Sequence, residues 1–132
     1  YYCVTASVNK VDFLNPIEVG ELVTMKASVN YTGRTSMVVG LRVGSENIRT
    51  GKTKHCNSSY FTMVAKDDNG KSTSIPGIIL TTKVEIRRFA RSIIRQQEGK
   101  NRMSRFNNEI FKVDDYLHLF ETSNSKIELK DK

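Results

Sequence analysis

A strict alternation of apolar and polar residues from Leu22 to Tyr31 constrains the fold of this chain more than any other feature. The same alternation returns from Met37 to Val43. A period of two with one polar side predicts antiparallel strands that are buried on one face only. Several such strands side by side present one broad apolar face, and that face needs a covering layer.

Turn residues divide the first part of the chain into four predicted strands. The opening segment Tyr2–Phe13 is the first strand, and Gly33 is predicted to supply a positive φ in the hairpin between the second and third. Arg49–Lys52 and Asp67–Gly70 predict the turns on either side of the fourth strand. Short links between successive strands predict a meander.

The spacing of apolar residues changes from about Thr82 onward and predicts a helix. Intervals of mainly three or four residues predict one apolar stripe on an amphipathic helix, made of Val84, Ile86, Phe89, Ala90, Ile93 and Ile94. The predicted organisation is a sheet portion at residues 1–80, a basic helix at 81–106 and a C-terminal extension at 107–132. The end of that extension, residues 123–132, is predicted to be flexible.

Positive charge is concentrated in the predicted helix. Between Lys83 and Arg105 there are eight Lys or Arg residues and two Glu residues, a net +6 out of the chain's +7. Such a segment could attract nucleic acid, an anionic membrane or a phosphorylated cofactor. Aromatic residues are not concentrated among these arginines, and no apolar run is long enough to cross a bilayer. We therefore expect neither a nucleic-acid partner nor a membrane span.

Residue chemistry alone does not point to a catalytic set. His55 and His118 have no cysteine or carboxylate at metal-ligand spacing, so no metal site is expected. The acidic pairs Asp67-Asp68 and Asp114-Asp115 are adjacent in sequence, an arrangement typical of solvated side chains. The stretch Gly33–Ser36 has two interpretations: a polar turn, or a phosphate site that uses the guanidinium of Arg34.

Five sequence blocks in a fixed order resemble a known enzyme family. They are Val4–Val8, Val11–Glu21, Gly33–Met37, Asn57–Ala65 and Ile75–Gly77. Together they resemble the hotdog-fold acyl-CoA thioesterases, in the YciA-like and cytosolic acyl-CoA thioester hydrolase group. The resemblance covers about Val4 to Pro76, more than half of the chain.

The resemblance implies an α+β hotdog fold, in which a curved antiparallel sheet wraps a long central helix. It also implies a cytoplasmic enzyme that hydrolyses acyl-CoA to fatty acid and CoA, without a cofactor other than the CoA of its substrate. Dimers with joined sheets, assembled as trimers of dimers into a hexamer, are implied as well. The catalytic Asp of the family lies on the central helix, which precedes the segment matching Val4–Phe13. It is therefore expected upstream of Tyr1, with no catalytic residue in this chain.

The resemblance also assigns candidate binding residues. Gly33, Arg34, Thr35 and Ser36 match a block near the CoA-binding groove. Asn57 matches a polar position on a strand and is also assigned to CoA binding. Phe13 and Pro16 match the segment beside the thioester, where they would form an acyl pocket. Arg87 and Arg88 could reach CoA phosphates across a subunit boundary, or could be solvated surface residues. The alternative function is a non-catalytic acyl-CoA-binding or assembly module.

Overall fold

The structure is a computed structural model that describes the backbone of residues 1–108 and 112–128, and their side chains except those of residues 105–108. Its four β-strands are β1 (Tyr2–Phe13), β2 (Leu22–Thr32), β3 (Ser36–Glu46) and β4 (Thr53–Lys66). They are followed by helix α1 (Lys83–Asn108) and a 3-10 helix (Val113–Phe120). The predicted four strands and C-terminal helix are confirmed.

The chain forms two compact units, Tyr1–Gln96 and Gln97–Lys132. The first unit contains the sheet and the first half of α1. The predicted flexible end includes residues 129–132, which lie outside the described residues. None of the helices in the described ranges is long and apolar enough to cross a membrane.

The strands form one antiparallel sheet in the order β1-β4-β3-β2. The predicted meander is therefore correct for β2, β3 and β4 but wrong for β1, which lies beside β4 rather than β2. The segment 14–21 must carry the chain across three strand spacings, about 14 Å. Eight residues can span this distance, and local turn signals give no information about which edge a strand joins.

Glycines fix two of the three predicted turns by their conformation. Gly51 and Gly70 have φ values of 68° and 75°, the left-handed region that favours glycine. Gly33 does not adopt this conformation, so that part of the prediction is wrong. A Cβ at Gly33 would lie 3.2 Å from the hydroxyl of Tyr31, so the glycine instead makes room for this side chain.

Strand register gives the sheet two chemically different faces. The apolar face carries Val11, Phe13, Met25, Ala27, Val29, Val39, Leu41 and Phe61. The polar face carries Thr24, Lys26, Ser28, Gly40, Arg42, Ser58, Tyr60 and Thr62. Phe13 is 85% exposed and Met25 is 68% exposed, so no described residue covers the apolar face around them.

Helix α1 packs on the polar face, in the unit Tyr1–Gln96. The ring of Phe89 lies 4.9 Å from that of Tyr31, and the Arg95 guanidinium lies 4.1 Å from the ring centroid of Tyr60. Ser92, which is 1% exposed, donates its hydroxyl to the carbonyl of Arg88. An aromatic contact and a cation–π contact therefore hold this part of α1 on the sheet, next to an internally satisfied serine.

The predicted single apolar stripe of α1 is only partly correct. Phe89 faces the sheet, whereas Ile86 and Ile94 remain exposed. Ile94 lies two residues from the buried Ser92, a rotation of about 200° around the helix, and therefore points away from the sheet. The apolar residues of α1 are thus divided between two sides of the helix.

A capping box begins α1. The hydroxyl of Thr82 accepts a hydrogen bond from the backbone N–H of Glu85, and the Glu85 carboxylate accepts from the N–H of Thr82 at 3.1 Å. The backbone N–H and hydroxyl of Thr81 also donate to this carboxylate. These bonds satisfy N–H groups that have no partner within the helix.

Replacing Thr82 with alanine should lower the free energy of unfolding by about 1 kcal/mol, because the capping hydroxyl is lost. Urea denaturation followed by circular dichroism measures this change. Thr82→Ser keeps the hydroxyl and is the matched control. Equal stability of the alanine and serine variants would contradict the capping role.

The same capping box predicts a pH dependence. The N–H and hydroxyl of Thr81 and the N–H of Thr82 hold the pKa of Glu85 below its usual 4.5. A lowered carboxyl pKa stabilises the folded state above pH 4.5, and this contribution disappears as the pH falls through the lowered pKa. The stability difference between the wild type and Glu85→Gln should therefore shrink between about pH 6 and pH 3 in urea titrations. A difference that persists unchanged in acid would contradict this assignment.

Candidate functional site

A cavity of about 570 Å³ lies where β1 ends. It brings together three residues of the sequence prediction, Phe13, Pro16 and Asn57, because Phe13 and Asn57 are register partners on β1 and β4. The other residues that line it are Leu14, Asn15, Ile17, Val43 and Cys56. This Phe13 cavity opens beside the apolar face.

A β-bulge on β4 fixes the loop that walls the Phe13 cavity. The register between β3 and β4 shifts after Val43, which leaves Cys56 as an extra residue. The carbonyl of Cys56 accepts hydrogen bonds from the backbone N–H groups of Leu14 and Asn15, at 2.9 and 3.4 Å. The Asn15 side-chain amide donates to the carbonyl of His55 at 2.8 Å. The loop is therefore held at three points on one strand.

An ion pair holds the far end of the same loop. The carboxylate of Glu21 lies 3.3 Å from the ammonium of Lys54 and accepts from the backbone N–H of Glu18. The hydrogen bond from Glu18, followed by Lys54, lowers the pKa of Glu21. The loop between β1 and β2 is thus anchored to β4 on both sides of Pro16.

The lining of the Phe13 cavity suits binding rather than bond cleavage. Apart from the amides of Asn15 and Asn57, its lining side chains are apolar or sulfur-containing. Cys56 is buried, with its sulfur 3.2 Å from the Ser45 hydroxyl. None of the lining residues is a carboxylate or a histidine, so the cavity can hold an apolar chain but contains no general base.

The predicted CoA-binding residues Gly33, Arg34, Thr35 and Ser36 form the tight turn between β2 and β3. The N–H of Gly33 donates to the carbonyl of Ser36 at 2.7 Å, and the carbonyl of Arg34 accepts from the N–H of Ile75. The Arg34 side chain is exposed. From Ser36 to Val43, seven residues along β3 correspond to about 23 Å, so one chain places this turn far from the Phe13 cavity.

Arg87 and Arg88 lie at a third location, on α1. Both are exposed, and Arg88 lines a cavity of about 420 Å³ on the polar face. Lys26 and Arg42 line the same cavity. Lys26 and Arg42 were not among the predicted site residues. The alternation of apolar and polar residues along β2 and β3 nevertheless places both on the polar face.

His55 makes hydrogen bonds within its own strand, β4. Its Nε2 lies 3.0 Å from the carbonyl of Asn57 and 2.9 Å from the hydroxyl of Ser58. Asp67 likewise serves a turn, where its carboxylate accepts from the N–H groups of Asn69 and Lys71 at 2.9 Å. Among the residues that the structure describes, no group of His, Cys, Asp and Glu could hold a metal ion.

Comparison with known proteins places the chain in a family. A model described as the thioesterase superfamily matches residues 2–52. Protein VdlD of Helicobacter pylori is 49% identical over 100 residues, which are 73% of this chain and 57% of VdlD. This chain thus spans little more than half the length of that relative.

Solved structures agree with this placement. A crystal structure of an apo-hexameric acyl-CoA thioesterase has a TM-score of 0.73 and 37% identity, over 77% of this chain and 65% of its own. An acyl-CoA hydrolase from Staphylococcus aureus, solved with butyryl-CoA, CoA and CoA disulfide, has a TM-score of 0.69 and 32% identity. That match covers 88% of this chain and 68% of the hydrolase. The chain therefore belongs to the thioesterase superfamily, among the acyl-CoA thioesterases with the hotdog fold.

Proposed function

We propose that this chain is the sheet portion of an enzyme that hydrolyses acyl-CoA to a fatty acid and CoA. The observation that carries the proposal is the open apolar face with the Phe13 cavity beside it, in a chain 32% identical to an acyl-CoA hydrolase solved with CoA ligands. Phe13 and Pro16 would line the acyl chain and the thioester. Asn57 would provide an amide at the polar end of the cavity.

The catalytic carboxylate would come from a helix that covers the apolar face. An Asp on that helix, upstream of Tyr1, would act as general base for water or as nucleophile. With the Asp as base, the water oxygen would bond to the thioester carbonyl carbon, the C–S bond would break, and the proton taken from water would pass to the CoA sulfur, which leaves as a thiol. With the Asp as nucleophile, a carboxylate oxygen would form that bond first, and water would then hydrolyse the resulting anhydride. Backbone N–H groups at the helix N-terminus would stabilise the oxyanion.

Two observations support this helix. The cavity lining contains no carboxylate, so hydrolysis needs an acid from elsewhere. The apolar face leaves Val8, Val11, Phe13, Met25 and Val29 each at least 40% exposed. Full burial of one large apolar side chain stabilises a protein by about 1.5–3 kcal/mol, so covering this face would contribute substantially.

The CoA moiety would be held by more than one subunit. We assign its nucleotide and phosphates to Gly33, Arg34, Thr35 and Ser36, with Arg87 and Arg88 reaching across a subunit boundary. The separation of these residues from the Phe13 cavity within one chain supports this division. The hexameric state of a similar thioesterase supports a dimer with joined sheets, assembled as a trimer of dimers.

Introducing a charge on the apolar face tests whether that face is covered. Met25→Lys should change the stability of the isolated 132-residue chain by no more than about 0.5 kcal/mol, because the side chain is exposed. In the full-length protein it should cost about 3–5 kcal/mol, because the ammonium would be buried without a partner. Urea denaturation of both forms gives these values.

Thr24→Lys is the matched control for this experiment. Thr24 precedes Met25 on β2 but lies on the polar face, so its replacement should be nearly neutral in both forms. A full-length protein that tolerates Met25→Lys as well as Thr24→Lys would end the proposal of a covering helix.

Activity is tested with the full-length protein and acyl-CoA, by colorimetric detection of the released thiol. We expect hydrolysis, with KM raised about tenfold in Arg34→Ala and kcat unchanged, because one charge-assisted hydrogen bond to phosphate is lost. Arg49→Ala removes an exposed arginine from another turn and should leave KM unaltered. Absence of hydrolysis would refute the proposal that the protein is an acyl-CoA hydrolase. CoA binding without turnover would instead indicate the non-catalytic binding module.

A further inference from the structure

A trough runs along β3 on the polar face of the sheet. Gly40 and Gly44 have no side chains on either side of Arg42, and the amide of Asn30 lies over Gly40. Lys26 on β2 forms one wall, and His55 and Ser58 on β4 form the other. Two cavities of about 420 and 580 Å³ occupy this space, and Lys26, Arg42 and His55 line both. We call the surface formed by Lys26, Gly40, Arg42, Gly44, His55 and Ser58 the polar trough.

The charges of the polar trough are uncompensated. Lys26 and Arg42 are register partners on adjacent strands, and like charges directly opposite each other destabilise a sheet. Neither forms an ion pair among the described residues, whose ion pairs join the N-terminus with Asp68, Lys10 with Asp12, and Lys54 with Glu21.

Three further charged residues border the polar trough, and one of them, Lys54, is paired with Glu21. Arg88 of α1 adds a third cation to the smaller cavity. Glu46 lines the larger cavity, but it lies four residues from Arg42 along β3, about 13 Å away. The centre of the trough is therefore positive.

Neutral hydrogen-bonding groups surround these cations. Ser58 is the register partner of Arg42 on the other side of β3, and its hydroxyl lies 2.9 Å from Nε2 of His55. Asn30 lines the smaller cavity, is 6% exposed and lies over Gly40, where a Cβ would collide with its amide nitrogen. A guanidinium, an ammonium, a hydroxyl, an imidazole and the Asn30 amide thus border the polar trough.

We propose that the polar trough binds an anion carrying two phosphate groups. The guanidinium of Arg42 matches phosphate oxygens as a planar fork, and the ammonium of Lys26 adds a point charge on the opposite wall. Each of the two adjoining cavities would hold one phosphate group, and Lys26 and Arg42 line both cavities. Bound phosphates also remove the repulsion between Lys26 and Arg42.

Within one chain the polar trough is separate from the Phe13 cavity. The polar trough lies on the opposite face of the sheet from the side chains that line the Phe13 cavity, so one ligand cannot occupy both within a chain. The diphosphate could belong to a separate compound or to a CoA molecule bound by another subunit. Binding measurements that do not depend on turnover distinguish failure of this proposal from failure of the hydrolase.

The test is isothermal titration calorimetry of the full-length protein with inorganic pyrophosphate at low ionic strength. Lys26→Glu should weaken binding by at least about tenfold, through loss of a charge-assisted contact. It should also raise the urea midpoint of the ligand-free protein, because the introduced carboxylate pairs with Arg42. If Lys26 had a purely structural role, Lys26→Glu would not be expected to weaken pyrophosphate binding while also raising the stability of the ligand-free protein.

Lys52→Glu is the matched control, since it makes the same charge change at an exposed turn of the same unit. It should leave both pyrophosphate affinity and stability close to wild type. Arg42→Gln provides a second variant and should weaken binding to a similar extent as Lys26→Glu. Absence of pyrophosphate binding to the wild type, or equal weakening by Lys26→Glu and Lys52→Glu, would overturn the proposal.

Competition identifies the source of the diphosphate. Displacement of pyrophosphate by CoA, lost in Arg42→Gln, would assign the polar trough to the CoA diphosphate of another subunit. Pyrophosphate binding that CoA does not displace would assign it to a separate phosphorylated compound. Both results support a diphosphate site in the trough.

Discussion

The alternation of apolar and polar residues along the four strands gives the sheet two different faces, and the rest of the structure depends on how each face is covered. Helix α1 lies on the polar face, held by the contacts of Phe89 with Tyr31 and of Arg95 with Tyr60. An arginine-rich helix can pack there because aromatic rings accept both an aromatic partner and a guanidinium. The apolar face consequently remains open in the described chain, next to the Phe13 cavity.

The β-bulge at Cys56 on β4 positions the loop that forms one wall of the Phe13 cavity. A regular strand would pair every backbone group with its neighbours, whereas the bulge at Cys56 turns its carbonyl toward Leu14 and Asn15. The loop containing Pro16 is therefore fixed before any ligand arrives. A wall that is already ordered loses little conformational entropy on binding, which favours affinity.

The two faces also separate two kinds of chemistry. The Phe13 cavity is lined mainly by apolar side chains, and the polar trough contains Lys26 and Arg42, which have no carboxylate partner among the described residues. Gly40 matters to the trough because a side chain there would collide with the amide of Asn30. The same central strand therefore contributes Val43 to one site and Arg42 to the other, since successive side chains point to opposite faces.

The sequence by itself determined the strands, the turns at Gly51 and Gly70, and a helix starting near Thr82. These features depend on residue period, turn chemistry and capping, which act over a few neighbouring residues. Family resemblance also predicted Phe13 and Pro16 as acyl-pocket residues and Asn57 as a CoA-binding residue, and the structure brings the three together in one cavity. Only the tertiary structure decided that β1 joins β4, that α1 lies on the polar face, and that Lys26 meets Arg42. Such pairings depend on register between distant segments, and the pattern within a single strand does not specify its partner.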